Sequence, residues 1–475
     1  MFRNSHTATL LVVSVVQFMI SLDLSIVNVG LPEIAEGLGF RPADLTWVIH
    51  AYALTFGGLL LLGGKAAERF GLKRMLVVGL VLFGTASLAG GFAQHPLHLI
   101  TARAAQGVGA ALLAPAALAL LTTTFPTGAA RTKAFGVWSA MNAAGGAFGV
   151  LIGGALTEFA GWRWVMFVNV PMTAVTLVLA LAVVAAAPPA LRAARADIAG
   201  AVLATLAMGL LVFGIVNTAH IGWTSPLTLL TFTAALVLLA GFIVVERTTR
   251  RDPLVRLTLF ANRAVAGANA YNLCLGAAMA AAFYFMSLYL QNVLGHGAAL
   301  TGLMFLPFAL GVVVGSVLAV KLSRRCSPRA LLMGGGLLTA LGFGWFSLIT
   351  PDGTFLTNVL GPSLAASIGF GLCLGPVVST ATMGVAPHET GMASGLLNSS
   401  RQLGAAIGLA ALGTAAARYA GPHPSAHELT GGYVLGLVWC AALLVTASVI
   451  ALIVLRPQRS EQAAARRTHA RSTHP

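Results

Sequence analysis

Charge is scarce in this chain. Asp, Glu, Lys and Arg together make up 9% of its 475 residues, and only 13 residues are acidic. A soluble domain carries about a quarter of its residues as charges, because its surface must be solvated. Without that shell an ordinary water-soluble globule is excluded. Cysteine is scarce too. Cys274, Cys326, Cys373 and Cys440 show no CxxC or Cys/His spacing, so neither a disulfide framework nor a metal site is indicated. No G-x-x-x-x-G-K-[ST] segment occurs, which excludes a nucleotide-driven pump. A membrane-embedded enzyme needs clustered polar groups at one depth, and the few acids here argue against one.

What the chain has instead is apolar length. Hydrophobic residues are 57% of the total, and the mean hydropathy is +0.88. Crossing the ~30 Å hydrocarbon layer takes ~20 helical residues. Runs of that kind lie near 8–29, 45–63, 75–93, 97–121, 134–157, 164–187, 198–217 and 226–245. Six more lie near 264–290, 300–320, 331–350, 358–384, 391–413 and 431–455, which makes fourteen. The first is too long for a signal peptide and has no small-x-small cleavage site before Asp23, so it is expected to be retained.

Basic residues set the expected orientation. With both termini cytoplasmic, 23 of the 28 basic residues fall in inside segments, against Arg41, Arg163 and Arg418 outside. That bias is the positive-inside pattern. The net charge of +15 is therefore expected to meet anionic lipid headgroups rather than nucleic acid. With 24 arginines, 4 lysines and abundant alanine, the composition points to a GC-rich bacterium and its inner membrane.

The chain also repeats itself. At an offset of 256 residues, Lys65 matches Lys321, Arg69 matches Arg325 and Lys73 matches Arg329. Two related six-helix halves are expected, a parallel repeat with an inserted pair between them. The divisions fall at 1–190, 191–250 and 251–455, with a basic cytoplasmic tail at 456–475. In the long loop before the ninth run, Leu254, Leu257 and Phe260 recur at helical spacing among arginines, which predicts a short interfacial helix.

Several segments then carry a family likeness. Gly64 to Arg74 matches G-x-L-A-D-R-x-G-R-K, with Glu68 in the acidic place. Leu22 to Pro32 matches L-D-x-T-I-V-N-V-A-L-P, and Arg103 to Gly109 matches R-x-x-Q-G-x-G. Gly136, Gly145, Gly149, Gly153 and Gly154 follow G-x8-G-x3-G-P-x-x-G-G, with Val150 in place of the proline. Gly161 to Pro171, Tyr289 to Gln291 and Asn398 to Gly404 are also similar. On these segments the chain resembles the major facilitator superfamily, and within it the fourteen-span drug:proton antiporters. The resemblance implies an all-α membrane fold of two six-helix bundles plus two inserted helices, working by alternating access. It implies a monomer in the membrane lipids, driven by protons without a cofactor, exporting a small organic molecule such as an antibiotic. A metabolite carrier or importer is the alternative.

The residues themselves leave roles open. A charge in hydrocarbon costs at least ~2.5–3.5 kcal/mol, so one retained there should face protein or water. Asp23 lies six residues before the outer end of the first run, and Arg103 six after the outer start of the fourth. Both are ~9 Å deep. Desolvation pushes an enclosed carboxyl group toward its protonated form, and a guanidinium pushes it back. Asp23 is thus either the proton-coupling site or half of a static pair with Arg103. Gly145, Gly149 and Gly153, with Gly154 beside them, form either a gate or a close-packed face. In Gly64, Glu68, Arg69, Gly71, Lys73 and Arg74 the resemblance implies a cytoplasmic latch, where charge alone implies anchoring. Asn398, Arg401 and Gln402 share a helical face that contacts substrate or braces the second half. Gln106, Asn142 and Tyr284 are further cavity candidates, each equally a packing residue. Tyr289, Met304 and Phe308 are of the same kind. His50 is read as packing rather than a proton relay.

Overall fold

The computed structural model describes residues 2–455 except 42–43, 126–127, 185–196, 249–255, 324, 386–389 and 422–423. Among the described residues there are no strands, and fourteen helices are long and apolar enough to cross a membrane. The first six are α1 (His6–Leu38), α2 (Trp47–Phe70), α3 (Leu72–Gly91), α4 (Pro96–Thr124), α5 (Lys133–Ala160) and α6 (Arg163–Val183). Next come α7 (Ala199–Thr218) and α8 (Pro226–Thr248). The last six are α9 (Arg263–Val293), α10 (Ala298–Leu322), α11 (Pro328–Phe346), α12 (Phe355–Ala381), α13 (Met392–Ala420) and α14 (Ala426–Val454). Helices dominate because lipid offers no partner to a backbone N–H or C=O, and a helix satisfies both internally.

Some ends differ from the apolar runs. Helix α1 continues through Pro32 to Leu38, beyond the expected end at 29. Hydropathy stops at Pro32 and Glu33, but helical hydrogen bonding carries on past the hydrocarbon edge. Helix α6 breaks at Val168 between Arg163–Phe167 and Asn169–Val183. Helix α10 breaks at Phe305, where Pro307 can donate no backbone hydrogen bond. The expected interfacial helix is instead a single 3-10 turn, Leu257–Ala261. Leu259 turns inward onto Ala201, Val265 and Leu396 and anchors the turn, while Phe260 is exposed. Leu254, the expected divisions at 190/191 and 250/251, and the tail 456–475 lie outside the described residues.

The two six-helix sets pack by the same plan. Helix α1 lies along α5, α2 along α4, and α3 along α4 and α6. In the second set α9 lies along α13, α10 along α12, and α11 along α12 and α14. The glycine registers agree. Gly79 of α3 abuts Gly109 of α4, and 256 residues on (335 − 79) Gly335 of α11 abuts Gly369 of α12. The α3 to α11 offset is that of the loop echo in the sequence, and the partner glycines on α4 and α12 are 260 residues apart (369 − 109). Helices α7 and α8 pair with each other, and α7 also packs on α2 and α13. Helix α8 touches little else and is 17% buried, against 83% for α9, so lipid is its main neighbour and α9 is core.

Most of the basic residues lie in the connections after even-numbered helices or in the helix turns that flank them, and that side is the basic face. The halves meet along α2 and α13 over their whole length, through Thr46 with Gly413, Gly57 with Gln402 and Leu61 with Gly395. Their other close approaches lie toward the opposite face. Ser287 Oγ donates to Asn28 O at 2.8 Å, Gln291 Nε2 to Val29 O at 3.1 Å, and Ala299 N to Glu158 Oε2 at 2.8 Å. Val150 packs there with Val29, Ala298 and Phe305. The molecule is therefore drawn together at the face away from the basic loops.

Candidate functional site

Asp23 and Arg103 touch. Both are buried, at 0% and 1% exposure. Arg103 Nη1 donates to Asp23 Oδ2 at 2.7 Å, while Gln106 Nε2 at 3.2 Å and Asn169 Nδ2 at 2.8 Å donate to Oδ1. The guanidinium also donates from Nε to Val48 O at 3.0 Å and from Nη1 to Gln106 Oε1 at 3.0 Å. The Tyr52 ring lies under it, 4.5 Å from centroid to Cζ. Gln106 Nε2 donates on to Ser87 Oγ at 2.6 Å. Five helices, α1, α2, α3, α4 and α6, thus converge on one carboxylate.

Local sequence explains the convergence. Residues 103 and 106 are i, i+3 on α4, so guanidinium and amide leave the same face. Asn169 opens the second segment of α6 just after its break, which swings the amide toward α1. Tyr52 Oη and Asn169 Oδ1 are buried with no hydrogen-bond partner. The arrangement is strong as it stands but leaves polar groups in reserve.

Other sequence candidates fall elsewhere. Gly149 and Gly153 press against α1, where an added Cβ would stand 2.7 Å from Leu22 O and 2.8 Å from Ile26 O. Gly145 meets Phe18 O in the same way. Gly154 does something different: it meets Ala298 O of α10, across the seam between the halves. The segment Gly64 to Arg74 is helical except at Gly71, ending α2 and starting α3, and within it Lys73 Nζ donates to Leu181 O at 2.9 Å. Glu68, Arg69 and Arg74 are exposed, the Arg69 guanidinium lying 5.4 Å from the Phe70 ring, and Gly71 turns the chain at φ 95°.

The polar candidates also separate. Gln106 belongs to the Asp23 cluster rather than to the seam. Asn142 Oδ1 accepts from Gln17 Nε2 at 2.7 Å and from Ser21 Oγ. Asn398 is exposed and Arg401 half-buried, whereas Gln402 is buried against Gly57 with Nε2 unpartnered. Tyr284 is buried in the second half beside Phe285, and Tyr289 Oη donates to Thr350 O at 2.7 Å. Met304 and Phe308 line a small apolar cleft with Met279, Met286, Phe343 and Ser363. His50 is buried edge-on to Trp47 with both nitrogens unpartnered. Sequence reasoning did not single out Ser87, Tyr52, Gln17 or Ser21. Their signal was only polarity inside an apolar helix.

Comparison with known proteins agrees with this architecture. The family profile of the Major Facilitator Superfamily matches residues 13–409. The cephamycin export protein CmcT of Amycolatopsis lactamdurans is 40% identical over 466 residues, covering 96% of this chain and 95% of that protein. The puromycin resistance protein pur8 of Streptomyces alboniger is 37% identical over 458 residues, covering 94% and 90%. Among solved structures, a bacterial homologue of the human lysosomal transporter Spinster, inward-facing and unoccupied, is similar in fold. The TM-score is 0.64 at 17% identity, over 95% of this chain and 97% of that one. Fourteen spans, a twice-used packing plan and a match along most of its length place this chain in the Major Facilitator Superfamily.

Proposed function

We propose that this protein is a proton-coupled antiporter that exports a small organic molecule, an antibiotic or other drug, across a bacterial inner membrane. The observation that carries the export reading is the 40% identity to a cephamycin export protein over 96% of the chain. Asp23 supports the coupling: it is the acid placed deep within a span, and Arg103, Gln106 and Asn169 enclose it.

The basic face is the cytoplasmic one in this reading, with both termini on that side. The close approaches of α1 and α5 with α9 and α10 then close the outer side, and cargo reaches the seam from the cytoplasm or inner leaflet. Rocking of the halves along α2 and α13 exposes it outside. A proton arriving at Asp23 loosens Arg103, and its release inside re-forms the pair. Membrane lipid surrounds a monomer, and the proton gradient supplies the energy.

Proton release from inside-out vesicles on adding cephamycins, puromycin and dyes tests the proposal, with Asp23→Asn as comparison. Release by the wild type alone is the expected result. Full proton-coupled export by Asp23→Asn would remove Asp23 from the coupling step. Export independent of the gradient would overturn antiport altogether.

A further inference from the structure

We infer that the exported molecule carries an anionic group, a carboxylate or one of like chemistry, and that Arg401 of α13 is its counter-ion. The inference rests on the export reading and adds the chemistry of the cargo.

Two rows of α13 are occupied by packing. Gln402 faces Gly57 of α2, in the first half, and Gly404 faces Leu273 of α9, in the second. Helical geometry puts residues 398, 401 and 405 between those rows, in the gap where the halves meet. Asn398 is exposed there and Arg401 is half-buried. Arg401 makes no hydrogen bond or ion pair with any described residue. Glycine at 276 leaves room for its stem, since an added Cβ there would stand 3.1 Å from Arg401 Cγ.

The repeat sharpens the point. Gly145 and Gly149 of α5 correspond to Gly404 and Gly408 of α13, an offset of 259 (404 − 145), by their matching contacts on α1 and α9. The same offset carries Asn142 to Arg401. Asn142 is satisfied by Gln17 and Ser21 from its own half. In the second half the corresponding place holds a guanidinium with nothing to bind.

Asp23 cannot serve as its partner here. It is engaged by Arg103, and the two sites lie at different levels. On α2, Gly57 marks the level of Gln402 and Val48 that of Arg103, nine residues or ~13 Å apart. An unpaired cation among apolar helices is unfavourable, and a carboxylate that binds its planar fork offsets this with charge-assisted hydrogen bonds. A cationic cargo would meet repulsion. Arg401 lies on the basic-face side of Asp23, so an anion arriving from there reaches it first.

The experiment supplies a cephem carboxylate, its uncharged carboxamide, or ethidium to the outside of inside-out vesicles and follows uptake. In Arg401→Gln, transport of the carboxylate should fall ~10-fold or more, with Arg401→Lys intermediate and the carboxamide changed less than twofold. Asn398→Asp, which places a competing acid beside Arg401, should weaken carboxylate transport alone and covers the case where Arg401→Gln fails to insert. Equal losses for carboxylate and carboxamide would make Arg401 a brace and overturn the inference. So would wild-type export of ethidium without the carboxylate, which leaves drug export itself standing. Failure of the wild type to move any of the three would overturn the export reading first.

Discussion

Lys73 and Arg329 make the same contact in the two halves. Lys73 Nζ donates to Leu181 O at 2.9 Å in the last turn of α6, and Arg329 Nη2 donates to Leu452 O at 2.6 Å in the last turn of α14. Both carbonyls lie in the last turn, where no described residue supplies the intrahelical donor, and both helix ends carry partial negative charge. At the basic face the first residue of this pair ties α3 to α6, and the second ties α11 to α14.

Removing either tie should cost little. Lys73→Ala and Arg329→Ala are each expected to destabilise by ~0.3–1 kcal/mol. Because the residues share no partner, their effects should add. Thermal unfolding of the purified protein in detergent measures this. A strongly non-additive double variant would mean that the two ends communicate through the seam.

The Asp23–Arg103 pair should behave oppositely. Arg103→Ala leaves a buried carboxylate without its cation, a loss of ~3–5 kcal/mol. Folded yield should drop sharply. The double change Asp23→Asn with Arg103→Gln removes both charges and should recover most of the yield while leaving export uncoupled. Yield that stays low in the double variant would show that hydrogen bonding, not charge, holds the cluster.

Gly149 offers a test of close packing. In Gly149→Leu the new side chain meets Leu22 O and Ser25 Cβ, which already lie 2.7 and 2.9 Å from an added Cβ. Overpacking of this kind costs ~1–3 kcal/mol, and transport should be lost. Gly136→Leu, on the same helix with no neighbour within 4 Å, should transport normally. If both variants are equally active, the α1–α5 contact has no part in the cycle.

Glu158 reports on the closed face. Its carboxylate accepts from Ala299 N at the start of α10. In Glu158→Gln the attraction to that helix N-terminus weakens by ~0.3–1 kcal/mol, which shifts the balance toward opening about two- to fivefold. Spin labels at Phe159 and Leu300, which are 81% and 43% exposed, would show the longer distance gaining population. An unchanged distance distribution would remove Glu158 from the closure.

Much of this was legible in the chain because lipid imposes simple demands. A span must be about 20 residues long and apolar, so fourteen could be counted without knowing how any of them packs. Depth could be counted as well, which put Asp23 and Arg103 at one level. The loop echo of Lys73 with Arg329 already held the repeat. Rotation of each helix about its axis was not legible, since nearly every face of these helices is apolar. Only the packed structure decided that Asn169 and Ser87 complete the Asp23 cluster, and that Gly154 faces α10 while Gly149 faces α1. It also decided that Arg401 is left facing the seam while Asn142 is satisfied. Contacts between helices distant in sequence depend on which faces fit, and fit is a property of the assembled bundle rather than of any one span.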